Sequence, residues 1–269
     1  MQTPETLGII AGNGAYPRLV ARAARRAGVK RIVAAAFTNE TDPGLTSEVD
    51  TIEWLRVGQL SRLLDFFRGA GVNQAMMAGQ IAPKNLFDLR PDWKALILLA
   101  RLKRRNAESI FGAIGDELAG ASVELLPAST FLEDFLASPG LIAGPGLSSR
   151  EEADVTYGFE IAKEISRLDI GQTVVVKGGS VLAVEAFEGT NEAITRGGRL
   201  ARKGAVVAKV GKPNQDLRFD LPVIGVETVR TAAEANVRVI AIEAGRTLLL
   251  EKEELVSLAA DLKITIVAG

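Results

Sequence analysis

Residues 7–37 read LGIIAGNGAYPRLVARAARRAGVKRIVAAAF and decide the first half of the fold. This stretch contains, in order, an apolar strand at Leu7–Ala11, the turn Gly12-Asn13-Gly14, a helix over Ala15–Ala27 and a second apolar strand at Arg31–Phe37. A strand, a glycine turn, a helix and a second strand are typical of a right-handed unit with parallel strands. We therefore expect a parallel sheet covered by helices.

The same alternation continues along the first half of the chain. It predicts strands at 49–55, 74–78 and 122–125 and helices at 60–68, 94–104 and 107–118. Glycine and proline are then frequent over residues 133–147, which is typical of a linker.

After the linker, strands and helices are mixed. We predict strands at 173–177, 180–187, 205–209, 238–242, 247–250 and 264–267, and helices at 149–166, 190–202, 226–236 and 252–262. The motif from Ser149 to Glu152 is expected to cap the first of these helices. The sequence thus predicts an α/β protein with two domains: a Rossmann-like parallel-sheet domain (1–132), a linker (133–147) and a mixed α/β domain (148–269).

The composition excludes several kinds of chemistry. The 269 residues include neither cysteine nor histidine, so disulfides, thiol nucleophiles, Ser-His-Asp triads and histidine-bound zinc are all excluded. Carboxylates, amines, guanidinium groups and hydroxyls remain, and a metal held by oxygen ligands should be magnesium, manganese or calcium. A net charge of −1 gives no sign of a nucleic-acid partner. Without a signal peptide or a long apolar run, we expect a cytoplasmic protein.

The loop after residue 208 concentrates charges of both signs. Lys209, Lys212 and Arg218 can hold phosphate oxygens, and Asp216 and Asp220 can bind a divalent metal. The alternative is a solvated loop with ion pairs.

Single charges also follow apolar residues between 173 and 191. Lys177 ends the run Val-Val-Val-Lys, and Glu185 ends the run Ala-Val-Glu. A charge buried in such a context must be paired or functional. The helix start at Gly189-Thr190-Asn191 follows directly.

Two turns follow strands of the first domain. Gly12-Asn13-Gly14 can offer backbone N–H groups to a phosphate, Gln80 can bond a base or sugar, and Lys84 can bond a phosphate. The alternative for both is an ordinary turn without a ligand. A dinucleotide site is disfavoured, because Pro17 stands where the third glycine of that motif belongs.

Five motifs together resemble the LpxI family. They are LGIIAGNG at 7–14, MAGQIAPK at 77–84, ISRLDIGQ at 165–172, GGSVLAVEAFEGTN at 178–191 and KPNQDLRFDLPVIG at 212–225. They occur in the family's order along nearly the whole chain, and the last two are long and specific. The LpxI family comprises the UDP-2,3-diacylglucosamine hydrolases of lipid A biosynthesis.

The resemblance implies a reaction and a set of site residues. Water would attack the α-phosphorus of UDP-2,3-diacylglucosamine with the help of Mg²⁺ or Mn²⁺, giving 2,3-diacylglucosamine 1-phosphate and UMP, while the acyl chains lie in an apolar cleft between the domains. From the residues and the resemblance together, we assign catalysis to Asp220, Asp216, Lys177 and Lys209, and the metal to Asp220 and Glu185. Substrate contacts are assigned to Gly12, Asn13, Gly14, Gln80, Lys84, Glu188, Thr190, Asn191, Lys212, Gln215 and Arg218.

Two other functions stay open at this point: a sugar-nucleotide-dependent transferase, and a lipid- or nucleotide-binding protein without catalysis. The second is kept because an Asp-Asp pair of the family is replaced around Asn106 and Glu108. Basic residues on the first helix and over 94–105 can contact anionic lipids at the cytoplasmic face of the inner membrane. The alternative, which the sequence favours, is that these basic faces are simply solvated. A homodimer is a further option that the sequence leaves open.

Overall fold

The structure is a computed structural model that describes residues 3–81, 91–104, 106–213 and 215–269. Its contacts divide the chain into two compact units. Unit 1 consists of the residues up to Leu132 together with Asp216–Asp220, and unit 2 of Glu133–Gln215 together with Leu221–Gly269.

Unit 1 is built on a sheet of parallel strands. Its described elements are β1 (Thr6–Ala11), α1 (Tyr16–Arg26), β2 (Arg31–Phe37), β3 (Thr51–Leu55), α2 (Leu60–Gly69), β4 (Gln74–Ala78), α3 (Trp93–Arg101), α4 (Ala107–Gly120) and β5 (Glu124–Leu125). The strand order is β3-β2-β1-β4-β5 and every pair is parallel. The Rossmann-like parallel sheet that the sequence predicts is therefore confirmed.

The central strand β1 is apolar on both faces because helices cover both sides of the sheet. Leu7 and Ile9 are fully buried. On one side, α2 packs its Phe67 ring against Gly8, where a Cβ atom would lie 3.0 Å from that ring. Phe67 is also fully buried, and burying a side chain of this kind contributes about 1.5–3 kcal/mol.

Unit 2 combines parallel and antiparallel strands. Its described elements are β6 (Gly140–Ala143), α5 (Ser149–Arg167), β7 (Thr173–Lys177), β8 (Ser180–Val184), α6 (Thr190–Ala201), β9 (Ala205–Lys209), β10 (Val223–Ile224), α7 (Val226–Glu234), β11 (Val237–Ile242), β12 (Leu248–Leu249), α8 (Lys252–Asp261) and β13 (Thr265–Ala268). The main sheet has the order β6-β13-β11-β9-β7-β8, and β10 pairs with β12 in a small parallel sheet. The predicted mixed α/β architecture is confirmed.

The structure departs from the sequence expectations near the start of unit 2. Part of the stretch expected to be a linker is the strand β6, which runs antiparallel to β13 and pairs Gly140 with Ala268. The capping box lies one residue earlier than expected: Ser148 caps α5, and the Glu151 carboxylate accepts a bond from the Ser148 N–H at 2.7 Å. The strand expected over 180–187 ends at Val184.

Within the described part of the chain, each helix is too short or too polar to cross a bilayer.

Candidate active site

In unit 1, the turns at the carboxyl ends of β1 and β4 are hydrogen-bonded to each other. The Gly12 N–H donates to the Ala78 carbonyl at 2.7 Å, and the Asn13 N–H donates to the Gln80 carbonyl at 2.7 Å. Gly79 has a φ of +90°, and a Cβ there would lie 2.5 Å from the Asn13 carbonyl oxygen. Glycine is required here because the two turns approach each other so closely.

This arrangement brings several predicted residues side by side. Asn13 and Gln80 are exposed on adjacent turns. Gly14, at φ +88°, has no atom within 4 Å of its Cβ position, so its backbone is accessible to a ligand. The carboxyl ends of parallel strands are the usual place for ligands in such sheets. Lys84, which was predicted together with them, lies outside the described residues.

An apolar cavity of about 120 Å³ opens beside these turns, entirely within unit 1. Gly12 and Gly79 form part of its wall, and the rest comes from strand ends, from α2, α3 and α4, and from loop residues before α2, after β4 and before α3. Representative lining residues are Ile10, Phe37, Leu63, Leu98, Phe111 and Ile114. Such a surface fits a hydrocarbon chain.

The segment Asp216–Asp220 belongs to unit 1 by its contacts, although the sequence suggests that it is part of the second domain. The reason is packing on residues of unit 1. Phe219 lies against Phe111, with ring centroids 5.9 Å apart, and the Ala128 N–H donates to the Leu217 carbonyl at 2.7 Å.

The two aspartates of this segment have different surroundings. Asp216 binds Arg218, with Nε–Oδ1 at 2.9 Å and Nη2–Oδ2 at 2.5 Å, and this hydrogen bonding lowers the pKa of Asp216. Asp220 is half-buried, and its carboxylate forms no hydrogen bond or ion pair with any residue that the structure describes. Asp220 is therefore the better placed of the two to act on a substrate or a water molecule.

Unit 2 contains a buried polar network at the end of β9. The Lys209 ammonium lies 2.8 Å from the Thr190 hydroxyl, which lies 2.9 Å from the Glu185 carboxylate. Lys209 is 5% exposed and Glu185 is 7% exposed. Because Thr190 has a single hydroxyl proton, it donates to Glu185 and accepts from Lys209. The network therefore fixes a cation at the first residue of α6.

The first turn of α6 strengthens the positive potential at this point. Gly189, at φ +89°, precedes the helix, and Thr190 and Asn191 begin it. The N–H groups of a first turn have no partners within the helix and attract anions. Together with Lys209, they can hold a phosphate group.

The loop that follows β9 carries two more predicted residues. Lys212 forms an ion pair with Asp169 at 2.5 Å, and the Gln215 side-chain oxygen accepts from the Lys212 N–H at 3.1 Å. The Gln215 amide nitrogen and the Gln172 amide oxygen are buried without a hydrogen-bond partner among the described residues. Such groups are costly unless a ligand or water satisfies them.

Two models of known protein families together match almost the whole chain. A model of the LpxI N-terminal domain matches residues 6–135, and a model of the LpxI C-terminal domain matches residues 138–267. The chain belongs to the LpxI family. The UDP-2,3-diacylglucosamine pyrophosphatase LpxI of Caulobacter vibrioides is 32% identical in an alignment 267 residues long that covers 95% of this chain and 94% of the relative.

Solved structures give weaker matches. The biotin carboxylase domain of the Hydrogenobacter thermophilus 2-oxoglutarate carboxylase matches with 14% identity and a TM-score of 0.29, over 67% of this chain and 36% of the other. The same domain of a thermophilic 2-oxoglutarate carboxylase, bound to ADP, matches with 16% identity and a TM-score of 0.25, over 64% and 46%. The chain thus spans less than half of either structure, and likenesses at these TM-scores carry no argument.

Two predicted residues of this LpxI family member have partners outside the Lys209 network. Lys177 is at the far end of β7, where its ammonium bonds the carbonyls of Ala201 and Lys203 at 2.9 and 2.8 Å. It therefore caps the end of α6, and the geometry does not support a catalytic role. Glu188 forms an ion pair with Arg196 at 2.6 Å, and backbone hydrogen bonds and Arg196 lower the pKa of Glu188.

The described carboxylates differ in how well they could bind the expected metal. No cluster of three or more carboxylates suited to a metal occurs within residues 3–81, 91–104, 106–213 and 215–269. Glu185 is a poor ligand because Thr190 and the Gln172 N–H already occupy its two oxygens, the latter at 3.4 Å. Asp220 fits better. The donor set therefore suits a hard cation bound by one carboxylate, water and substrate phosphate, as magnesium is often bound.

Sequence reasoning missed two features of these sites. The cavity wall in α3 and α4 could not be distinguished from an ordinary apolar core, because both have the same helical periodicity. Glu243, whose carboxylate bonds both the Gly211 N–H and Lys163, was also missed. Its position directly after the buried strand β11 was a signal that could have identified it.

Proposed function

We propose that this LpxI family member hydrolyses UDP-2,3-diacylglucosamine to 2,3-diacylglucosamine 1-phosphate and UMP, a step of lipid A biosynthesis. The observation that carries this proposal is the match to a UDP-2,3-diacylglucosamine pyrophosphatase at 32% identity over 95% of the chain. Matches to both LpxI domain models support it. The enzyme is then a hydrolase of a phosphoric anhydride.

The proposed chemistry is the attack of water on the α-phosphorus. The water oxygen bonds to that phosphorus, the bond from phosphorus to the bridging oxygen breaks, and 2,3-diacylglucosamine 1-phosphate leaves. Asp220 takes the proton from water, because its carboxylate is not committed to any described residue. Within unit 2, Lys209 and the first turn of α6 provide a positive potential that suits a phosphate group.

A divalent cation is part of this proposal. Mg²⁺ or Mn²⁺ would reduce the negative charge on the phosphates and so favour attack by water. Asp220 would contribute one carboxylate oxygen to the ion and use the other for the proton. Asp216 is less suitable, because Arg218 engages both of its oxygens.

We assign one acyl chain of the substrate to the apolar cavity of unit 1. The cavity adjoins Gly12 and Gly79, and Phe111 in its wall contacts Phe219, the neighbour of Asp220. A chain bound there would place the polar part of the substrate at the glycine turns. Asn13 and Gln80, which are exposed on those turns, are the proposed partners for the sugar or the base.

Peripheral contact with the cytoplasmic face of the inner membrane is proposed because a diacylated substrate resides in a bilayer. The basic face of α1 is a poor candidate for this contact. Arg18 pairs with Asp42 at 3.1 Å, Arg22 with Glu48 at 2.5 Å and Arg25 with Asp50 at 2.6 Å. These carboxylates neutralise the charges that the sequence suggests for lipid headgroups. A homodimer stays a prediction.

Release of UMP tests the proposed reaction. The purified chain is incubated with UDP-2,3-diacylglucosamine in detergent micelles, with Mg²⁺, with Mn²⁺ or with EDTA. We expect release with a metal and little release with EDTA. Binding without turnover would instead support a non-catalytic protein, and turnover that requires a second acceptor would support a transferase.

A further inference from the structure

Helix α3 has one face inside unit 1 and one face in solvent. Ala95 and Leu98 are 8% and 7% exposed, and both line the apolar cavity. The start of the helix is fixed by Asp92, whose carboxylate accepts from the N–H groups of Ala95 at 2.9 Å and Ser61 at 2.7 Å. The inner face therefore holds α3 firmly at the cavity.

The outer face is also apolar. Trp93 is 76% exposed and Leu96 is 46% exposed, and Ala100 is exposed as well. These residues follow each other at steps of three and four, so they lie on one side of the helix. A large exposed tryptophan beside an exposed leucine is unusual for a helix that faces only water.

Basic side chains are concentrated at the C-terminal end of α3. Arg101, Lys103 and Arg104 are exposed, and none of the three forms an ion pair with a residue that the structure describes. Lys94, at the other end, is paired with Glu117 at 2.8 Å. The contrast with α1, where three arginines are paired, identifies the end of α3 as a basic surface that is not neutralised.

We propose that α3 is the element that docks unit 1 on an anionic lipid surface. Trp93 and Leu96 enter the headgroup region, where tryptophan is favoured, and Arg101, Lys103 and Arg104 bind the anionic headgroups. This inference rests on the proposed function in one respect, because the substrate supplies the reason for docking. Since the same helix forms the cavity wall on its inner face, docking brings that wall to the surface where acyl chains reside.

The chain provides its own probe for this contact. It has two tryptophans, Trp54 and Trp93, so the full-length Trp54→Phe variant reports Trp93 alone. Its emission is recorded with vesicles of phosphatidylcholine containing 30% phosphatidylglycerol, with vesicles of pure phosphatidylcholine, and with brominated lipids as quenchers. We expect a blue shift and quenching on the anionic vesicles, and loss of both at high salt.

Charge reversal provides the matched comparison. In the same background, Lys103→Glu with Arg104→Glu should weaken vesicle binding by at least about tenfold. The control is Arg26→Glu with Lys30→Glu, which changes net charge by the same amount on exposed residues at the end of α1 and in the turn after it, and should have less than about a twofold effect. Circular dichroism of each variant verifies that it is folded.

Several results would overturn the proposal: no binding to anionic vesicles, binding without any change at Trp93, or equal losses in the two double variants. A protein that is dimeric and already blue-shifted without vesicles would assign the face to a second copy. Turnover is measured separately in detergent micelles. If vesicle binding occurs as expected but the micellar substrate is not hydrolysed, the proposed reaction fails and the docking surface stands.

Discussion

The ring of Phe219 packs against the ring of Phe111 at a centroid distance of 5.9 Å. Phe111 lines the apolar cavity, so this contact places Asp220 one residue away from a ring that supports the cavity wall. The carboxylate that we assign to the reaction and the space that we assign to an acyl chain are thus parts of the same unit.

Replacement of Asp220 by Asn should abolish most turnover while substrate still binds. The amide keeps the size of the side chain but can neither take a proton at neutral pH nor bind a cation well. We expect kcat to fall by about 100-fold or more, which is typical for loss of a general base. UMP release and equilibrium binding of the substrate are measured on the same preparation. Turnover close to that of the unchanged chain would contradict the assignment.

We expect the hydroxyl group of Thr190 to contribute to both stability and turnover. Thr190→Val keeps the shape but removes the group that Lys209 and Glu185 both contact. We expect a loss of about 1–3 kcal/mol in the free energy of unfolding, together with reduced turnover. Thr190→Ser retains the hydroxyl and should be much closer to the unchanged chain in urea unfolding. Equal losses for Val and Ser would show that the hydroxyl is unimportant.

Replacing each lysine by glutamine distinguishes the role of Lys177 from that of Lys209. Lys177→Gln removes a charged group that caps α6, so we expect a loss of about 1 kcal/mol in stability and kcat/KM within about threefold. Lys209→Gln should lower kcat/KM far more. The kcat/KM values of the two variants are compared by steady-state kinetics. A large decrease in kcat/KM for Lys177→Gln would support the catalytic role suggested by the sequence.

The acyl-chain assignment predicts a change in substrate preference. Ala95→Leu adds volume inside the cavity wall, so turnover of long-chain substrates should fall more than turnover of short-chain substrates. Ala119→Leu makes the same change at an exposed position of α4 and serves as the control. Relative kcat/KM values for a series of chain lengths are compared. A uniform decrease across all lengths would argue against a chain in this cavity.

The pair Asp216–Arg218 should contribute to stability only above acidic pH. Hydrogen bonds from Arg218 lower the pKa of Asp216 in the folded chain. Its contribution is therefore present above the unfolded pKa of about 3.9 and is lost as the pH falls through the folded value. Because both side chains are partly exposed, we expect no more than about 1 kcal/mol. Denaturant unfolding should show that Asp216→Asn costs stability at pH 7 and less at pH 3; an equal cost at both would contradict this prediction.

The local pattern of apolar and polar residues was sufficient to predict much of the fold. The strand bounds Arg31–Phe37, Gln74–Ala78, Thr173–Lys177 and Ala205–Lys209 agree with the predicted ranges, because each of these buried strands is a continuous apolar run with a polar residue at one end or both. The strand β6 was not predicted, because the glycine and proline residues around it lower the β-propensity of this stretch of sequence. The strand forms through its pairing with β13.

The candidate sites were less accessible from sequence. The Lys209 network includes Glu185 and Thr190. Glu185 was selected because a charge beside a buried strand requires a partner, Lys209 because it opens the charged loop, and Thr190 because it lies at a helix start within a family motif. The packing of Phe219 against Phe111 was not foreseen, because it joins residues that are far apart in the sequence. No local pattern carries information about such a contact.

Because Asp216–Asp220 belongs to unit 1, the chain cannot be divided into two working halves by a single cut. A fragment that ends at residue 135, where the N-terminal domain match stops, would lack this segment and expose Phe111. The complementary fragment would carry Asp220 without the residues that position it. Efforts to express either half should therefore begin with a segment transplant or a circular permutation rather than a truncation.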